Sequence, residues 1–280
     1  MKISNTIESL RSVIQQWHRE GLRVGFVPTM GHLHSGHLEL VNQAKLACDK
    51  VVVSIYVNPL QFNEINDFDA YPKTLADDQN QLISVNADLL FLPDNEMMYP
   101  DGQQSITRVC VPEITQELEG ESRPGHFDGV STVVNKLFNL VQPQQAFFGE
   151  KDYQQLLLVR KMVEDLNIPV EIKSVSTYRE TDGLAMSSRN SRLSVSERQL
   201  APQLLRVLKK LSERVLNDES LSEVELDAEN ELLAAGFELE YVSVRHSNTL
   251  DIADKKPGNR RVLAAVRLGE VRLIDNLKID

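Results

Sequence analysis

The stretch PTMGHLHSGH, residues 28–37, indicates both the fold and the chemistry of this chain. The apolar segment 22–27 before it predicts a strand, and apolar residues at near-helical spacing over 37–47 predict a helix after it. Three of the chain's six histidines lie in this strand-to-helix turn: His32, His34 and His37. The glycines allow a ligand to approach the backbone closely, and the first turn of a helix attracts anions. We therefore predict a phosphate site here, with a loop of surface histidines as the alternative.

Outward from this turn, strands and helices alternate through the first 176 residues. The apolar patterns predict further strands at 51–57, 88–92, 146–148 and 170–175, and further helices at 74–85, 130–140 and 153–166. Such alternation implies right-handed βαβ crossovers and a parallel sheet, whose ligands lie beyond the carboxyl ends of the strands. The expected fold class is α/β: a Rossmann-like parallel sheet with flanking helices.

A small α+β C-terminal domain is expected after this sheet. Helical patterns at 197–215 and 221–235 are followed by strand patterns at 239–245, 261–266 and 271–274. We place the boundary near residue 176. The prediction is therefore a Rossmann-like domain over 1–176 and a smaller α+β domain over 177–280.

Composition excludes several classes of protein. The formal charge of −11 repels nucleic-acid phosphates at long range, so no nucleic-acid partner is expected. Cys48 and Cys110 form no CxxC pair, which argues against a zinc framework or a disulfide scaffold. No apolar run approaches the roughly 18 residues of a membrane span, and residues 1–17 lack the apolar core of a signal peptide. We expect a cytoplasmic protein that does not bind membranes.

Two standard nucleotide-binding motifs are absent from the sequence. Without GxxxxGK[ST] the chain is not a P-loop enzyme, and without GxGxxG it lacks the fingerprint of a dinucleotide-binding fold.

Polar side chains follow two more of the predicted strands. Asn58 and Gln61 come directly after 51–57, and their neutral amides suit hydroxyl or ester-like groups, with a simple Asn-Pro turn as the alternative. Lys151 follows the strand at 146–148 as a point charge for a phosphate. Asp152 could accept hydrogen bonds from ribose hydroxyls or merely cap the next helix. Gln155 lies four residues after Lys151, so both could face one side of that helix.

Two further segments are candidates for nucleotide or metal binding. The polar stretch MSSR, residues 186–189, sets hydroxyls beside a guanidinium and suits a mobile phosphate clamp, although such loops are common. Asp77, Asp78 and the segment 120–129 offer carboxylates to a magnesium ion. A solvated face is the interpretation we favour for these acidic residues.

Together these motifs resemble the pantoate–β-alanine ligase (pantothenate synthetase) family of the HxGH nucleotidyltransferase-like superfamily. The matching stretches span most of the first 190 residues: 28–37, 54–62, 69–75, 126–136, 147–155 and 182–190. The resemblance implies ATP-dependent condensation of (R)-pantoate with β-alanine through pantoyl adenylate, which releases pyrophosphate and then AMP. It also implies Mg²⁺ with the nucleotide, a homodimer, and a C-terminal domain that acts as a lid.

The resemblance also assigns roles to residues, with the metal ligands left unidentified. The implied catalytic residues are His37, His34 and Lys151. The implied ATP-binding residues are Met30, Gly31, His32, Leu33, His34, Ser35, Gly36, His37, Gly149, Glu150, Lys151, Asp152, Tyr178, Met186, Ser187, Ser188 and Arg189. The implied substrate-binding residues are Gln61, Gln155 and Asn58. Family convention makes His37 a proton donor, and stabilisation of charge is an equal alternative. His32 departs from the family pattern and could contact phosphate or face solvent.

Two other functions stay open from the sequence. A cytidylyl- or adenylyltransferase of the same superfamily would share the turn at 28–37 but would not require the Asn58/Gln61 and Lys151/Gln155 sets together. A regulatory module could keep the fold and bind ATP without turnover. This second alternative is disfavoured by the presence of His34, His37, Lys151, Ser187, Ser188 and Arg189.

Overall fold

The computed structural model describes residues 1–62, 68, 71–254 and 258–279. The chain forms two compact units, one of residues 1–150 with 158–176 and the other of residues 151–157 with 177–280. Asp69 and Ala70, which belong to the stretch 69–75 noted above, lie outside the described residues.

The first unit is built around six strands. They are β1 (Lys2–Ser4), β2 (Val24–Thr29), β3 (Lys50–Ile55), β4 (Leu89–Phe91), β5 (Gln145–Gly149) and β6 (Glu171–Val175). The connecting helices are α1 (Ile7–Arg19), α2 (Ser35–Ala47), α3 (Leu75–Ser84), α4 (Asn95–Met98), α5 (Glu119–Ser122), α6 (His126–Val141) and α7 (Tyr153–Asp165), whose first five residues belong to the second unit. No helix in the described part of the chain is both long enough and apolar enough to cross a membrane.

The six strands form one parallel sheet, which confirms the predicted fold class. Their order is β1-β4-β3-β2-β5-β6, and every neighbouring pair is parallel. From β2 the chain continues to one side through β3 and β4, and later returns to the other side through β5 and β6. The order of the strands therefore reverses between β2 and β5. In open parallel sheets this reversal leaves a crevice at the carboxyl ends of the two strands, where ligands bind.

Continuous apolar runs explain why the central strands are buried on both faces. Val51, Val52 and Val53 are completely buried in β3, as are all three residues of β4. This is the composition expected of a sheet covered by helices on both sides. Strand β1 and helix α1 were not predicted. A three-residue strand such as β1 carries almost no pattern, and its partner β4 lies more than 80 residues away in the chain.

The second unit contains the predicted α+β fold. Strands β7 (Glu238–His246), β8 (Arg260–Leu268) and β9 (Val271–Ile279) form an antiparallel sheet in that order. Helices α8 (Val195–Leu200), α9 (Gln203–Leu216) and α10 (Leu221–Ala234) precede it, and apolar side chains of α9 and α10 form one core with those of the sheet. The single helix predicted over 197–215 is wrong. Pro202 has no amide hydrogen to donate to the preceding turn, so α8 ends at Leu200 and α9 begins at Gln203.

Asp88, just before β4, joins three elements of the first unit. Its carboxylate accepts hydrogen bonds from Lys45 Nζ of α2 at 2.9 Å, and from Lys50 Nζ at 3.3 Å and Val51 N at 2.9 Å in β3. Burial by itself would raise the pKa of this carboxyl. The hydrogen bonds from Lys45 and Val51, and the two lysine charges, outweigh burial and hold the pKa below its ordinary value of 3.8.

The lowered pKa of Asp88 predicts acid sensitivity of the first unit. The stabilising contribution of this carboxylate is complete above its ordinary pKa and is lost as the pH falls through its lower folded-state pKa. We expect Asp88→Asn to lower the urea midpoint at pH 7 and to flatten the loss of stability below about pH 4. Fluorescence of Trp17, the only tryptophan, reports unfolding of this unit. The exposed Asp101→Asn should keep the wild-type profile, and an equal slope for Asp88→Asn would contradict the prediction.

Candidate active site

The turn between β2 and α2 is closed by its own histidines. His34 is the N-cap of α2, and its Nδ1 accepts a hydrogen bond from Gly36 N at 3.2 Å. His37 Nδ1 accepts from His34 N at 3.3 Å, so the two imidazoles form a reciprocal capping box. Their ring centroids are 4.0 Å apart with an interplanar angle of 33°. The imidazoles take the place of the usual Ser and Glu side chains and remain half-buried at the helix N-terminus.

These caps determine which ring nitrogen carries hydrogen. A backbone N–H needs a lone pair to accept its hydrogen, so Nδ1 of His34 and Nδ1 of His37 act as acceptors. The neutral rings then carry their hydrogen on Nε2. Protonation of Nδ1 would remove the acceptor and open the capping box. The geometry therefore favours two neutral imidazoles that present Nε2–H donors at the positive end of a helix.

Asp78 of α3 holds the same turn from the other side. Its Oδ2 accepts from His32 N at 3.0 Å, and its Oδ1 accepts from Leu33 N at 2.8 Å and from Thr74 Oγ1 at 3.2 Å. Asp78 is only 1% exposed, whereas Asp77 beside it is exposed. The expectation of a solvated face is wrong for Asp78, because its carboxylate satisfies two backbone donors of the turn.

The backbone of the turn needs Gly31 because of this close approach. Gly31 has a φ of +82°, and a Cβ there would lie 3.0 Å from Ile55 Cγ2 and 3.1 Å from Asp78 Oδ2. His32, with a φ of +50°, follows it. The His32 ring lies against α3, with Nδ1 3.3 Å from Thr74 Oγ1.

Gln61 lies against this turn through Met30. Gln61 is in the 3-10 turn Pro59–Gln61 that follows β3, and its Nε2 is 2.8 Å from Met30 Sδ. Asn58 is 1% exposed and uses its whole amide within the protein. Its Nδ2 donates to Gln61 Oε1 and Gly129 O, and its Oδ1 accepts from Leu60 N and Tyr99 Oη. With both hydrogens and both lone pairs used, Asn58 orients Gln61.

Helix α6 fixes the main chain of Gln61. The Gln61 carbonyl accepts from His126 Nδ1 at 2.7 Å and from Arg123 Nη2 at 3.3 Å. His126 Nε2 is 3.1 Å from Arg123 Nη1, and because arginine only donates, this nitrogen of His126 is the acceptor. A Cβ on Gly129 would lie 2.4 Å from Leu60 O, so glycine is required where α6 meets the 3-10 turn. Within 120–129, His126 and Gly129 are thus buried against the 3-10 turn, while the carboxylate of Glu121 is exposed and that of Asp128 is half-buried.

The remaining candidates belong mostly to the second unit. Gly149 ends β5 and Glu150 begins the 3-10 turn after it, both in the first unit, while Lys151 and all candidates beyond it are in the second. Lys151 Nζ is 3.6 Å from Asp152 Oδ1, and Gln155 is half-buried. Asp152 is exposed and lies in the 3-10 turn before α7.

The stretch 186–189 is the end of a small hairpin in the second unit. Met186 N donates to Tyr178 O at 2.9 Å, and Arg179 bridges to Ala185. Ser187 caps the 3-10 turn Ser188–Arg192, with its Oγ accepting from Arg189 N. Ser187, Ser188 and Arg189 are all half-buried. In the part of the chain that the structure describes, no three His, Cys, Asp or Glu side chains form a metal-binding group.

Sequence reasoning found the histidines and Gln61 but missed Asp78, Tyr99, Gly129 and His126 as parts of their support. These residues act through a few hydrogen bonds or one close approach between segments up to 71 positions apart. His126 and Gly129 fall in the segment 120–129, a candidate for its carboxylates, and in the stretch 126–136 of the family resemblance, and neither pattern predicts their contact with Gln61 and Leu60. Gly129 lies just before the predicted helix at 130–140 and inside the observed α6, so the one local signal, an internal helix glycine that marks close packing, depended on the helix boundary.

A parallel sheet whose switch point carries a histidine-capped helix N-terminus is typical of nucleotide-dependent α/β enzymes. The chain belongs to the pantoate–β-alanine ligase family, since residues 2–278 match the family model described as pantoate-beta-alanine ligase. The pantothenate synthetase of Shewanella sp. (strain ANA-3) is 49% identical over 280 residues, which are 100% of both chains.

Solved structures agree with this assignment. The pantothenate synthetase from Thermus thermophilus superposes with a TM-score of 0.93 at 46% identity, covering 100% of this chain and 99% of that one. The pantoate-beta-alanine ligase from Francisella tularensis, complexed with beta-gamma ATP and beta-alanine, gives a TM-score of 0.84 at 37% identity. The second match covers 99% of this chain and 97% of that one.

Because Asp78 accepts hydrogen bonds from the backbone of the turn and Asp77 does not, substitution of the two adjacent aspartates should have different effects. Asp78→Asn places an NH₂ group against backbone donors, so we expect a loss of about 1–3 kcal/mol in unfolding free energy for the unpaired donor. The amides of His32 and Leu33 should also exchange hydrogen faster. Asp77→Asn, at an exposed position, is the matched control and should change neither quantity. Equal behaviour of the two variants in urea unfolding followed by Trp17 fluorescence would contradict this role of Asp78.

Proposed function

We propose that this protein condenses (R)-pantoate with β-alanine at the expense of ATP, in two steps. The observation that carries the proposal is the contact of Gln61 Nε2 with Met30 Sδ, 2.8 Å long. This contact brings the neutral amide of Gln61, which suits pantoate, next to the turn that carries His34 and His37, which suit phosphate. Family membership and a relative whose solved structure is complexed with beta-gamma ATP and beta-alanine support the same reaction.

In the first step a carboxylate oxygen of pantoate attacks the α-phosphorus of ATP. The bond from that phosphorus to the bridging oxygen of the β-phosphate breaks, and pyrophosphate leaves with the electron pair. In the second step the amine of β-alanine attacks the acyl carbon of pantoyl adenylate. The bond to the phosphate oxygen breaks, AMP leaves, and the nitrogen loses one proton as the amide of pantothenate forms.

His34 and His37 stabilise the charge that grows during the first step. Their Nδ1 atoms are occupied by the backbone of the turn, so the Nε2–H groups donate to phosphate oxygens. The N-terminus of α2 adds its partial positive charge. Such preorganised donors act mainly in the transition state and require no rearrangement during the reaction. In this geometry the histidines act as hydrogen-bond donors, and a full proton transfer from His37 is not needed for pyrophosphate to leave.

Neutral amides hold pantoate in this scheme. Gln61 and Gln155 bind its hydroxyl groups without neutralising its carboxylate, which stays nucleophilic. Gln61 also lines the site for β-alanine. We assign Asn58 to the same function through Gln61, because its amide is fully used by Gln61, Gly129, Leu60 and Tyr99.

The second unit supplies the remaining nucleotide contacts in this proposal. Lys151 neutralises phosphate charge, Asp152 binds the ribose, Tyr178 contacts adenine through its backbone, and residues 186–189 clamp phosphate. We assign the 177–280 domain the role of a lid that keeps water from the acyl adenylate, and 1–176 the role of the catalytic domain. Mg²⁺ enters bound to the phosphates of ATP, as is usual for this ion. We further propose a cytoplasmic homodimer.

The test is a product assay with purified protein, ATP, Mg²⁺ and (R)-pantoate, with and without β-alanine. Pyrophosphate release that depends on pantoate, with multiple-turnover AMP formation only when β-alanine is present, supports the proposal. Formation of a stable nucleotide conjugate would instead indicate a nucleotidyltransferase. ATP binding by folded protein without pyrophosphate release would indicate a regulatory module.

A substitution at His37 separates charge stabilisation from binding. We expect His37→Ala to lower the rate of pyrophosphate release by about 100-fold or more, as for loss of one preorganised donor, while the Kd for ATP rises only about threefold. His18→Ala, in the last turn of α1, is the matched control and should retain both values. Single-turnover kinetics and equilibrium ATP binding give the two numbers. Equal losses in rate and affinity would make His37 a binding residue only.

A further inference from the structure

Strand β9 carries two adjacent buried polar residues that the proposed reaction does not use. Asp275 is 3% exposed and Asn276 is 4% exposed. Burying a charge and an amide is costly unless each polar atom finds a partner. Asn276 finds one partner at Lys151 and Asp275 finds one in the stretch 178–189, the two segments of the second unit that we assign to the nucleotide.

Asn276 holds the segment that contains Lys151. Its Nδ2 donates to the Lys151 carbonyl at 3.0 Å, and its Oδ1 accepts from Arg261 Nη1. The Arg261 guanidinium lies 3.7 Å from the centroid of the Tyr153 ring, and Tyr153 Oη donates to Ser247 O at 3.0 Å. The start of α7 is therefore fixed to the C-terminal sheet both at its backbone and through a stacked aromatic ring.

Asp275 holds the hairpin that leads to Arg189. Its carboxylate accepts two parallel hydrogen bonds from Arg179, Nη1 to Oδ2 at 2.7 Å and Nη2 to Oδ1 at 2.8 Å. Arg179 Nη1 also donates to Gly183 O at 3.1 Å, within the same hairpin. Asp275 Oδ1 accepts from Asn276 N at 2.7 Å, which couples the two neighbours. A bidentate arginine–carboxylate pair fixes direction as well as distance.

We propose that Asp275 and Asn276 are positioning residues, which hold Lys151 and the 178–189 hairpin at a fixed separation for one nucleotide. Neither residue touches the nucleotide; each acts through the segment that it anchors. This inference rests on the proposed function. Buried ion pairs contribute little net stability compared with apolar residues, so geometry is the better explanation for retaining this one.

A double-mutant cycle tests the action of Asn276 through Lys151. We expect Asn276→Ala to lower kcat for pyrophosphate release by about tenfold, because Lys151 would be displaced from the phosphate that it contacts. The KM for pantoate should be unchanged. In a Lys151→Ala background the same change should cost less than about twofold, because the residue it positions is gone. The exposed Asn217→Ala is the matched control and should keep wild-type kinetics. A tenfold loss in both backgrounds, or no loss in either, would overturn the proposal.

Hydrogen exchange tests the anchoring without relying on turnover. Asp275→Asn and the milder Arg179→Lys should both speed amide exchange across 178–189, while amides of β7 and β8 stay protected. Unchanged exchange across 178–189, or uniform loss of protection in the whole unit, would refute the anchoring. If the wild-type protein releases no pyrophosphate, the proposed function fails, and this exchange result still decides whether the anchor exists.

Discussion

The buried carboxylate of Asp78 satisfies two backbone N–H groups, those of His32 and Leu33, and the geometry of the candidate site depends on this interaction. The turn after β2 has positive φ values at Gly31, which adopts them readily, and at His32, where a side chain makes this conformation unfavourable without outside support. Asp78 supplies that support from α3. With the turn held, α2 starts at Ser35 and its histidine caps can form.

A second constraint is the close approach of α6 to the turn after β3. Gly129 leaves room for the Leu60 carbonyl, and His126 binds the Gln61 carbonyl from the first turn of α6. Gln61 is thereby held at both its backbone and its side chain, next to Met30. Under the proposed function, this preorganisation means that pantoate does not have to supply the free energy for ordering Gln61.

Much of the architecture was predictable because it depends on local pattern. The valine run of β3 and the strand-to-helix order of the first unit led directly to a parallel sheet, and the strands after residue 238 led to the α+β unit. Errors arose where pattern and backbone chemistry conflict. An apolar periodicity continues through Pro202, but the missing amide hydrogen divides the helix there. The strand β1 was invisible for a related reason: three residues do not establish a period.

Residue types that carry chemistry were visible in the sequence, because phosphate sites favour glycine, histidine and helix N-termini in one short stretch. The orientation of those side chains was not visible. Which nitrogen of His34 and His37 carries hydrogen follows from the conformation of the turn itself, because both caps join residues two or three positions apart. Why Asp78 is buried while Asp77 is exposed follows from a contact between segments about 45 positions apart. Local sequence determines the order of strands and helices through side-chain periodicity. Hydrogen bonds across long loops leave no periodic signal, so packing alone determined the support of the site.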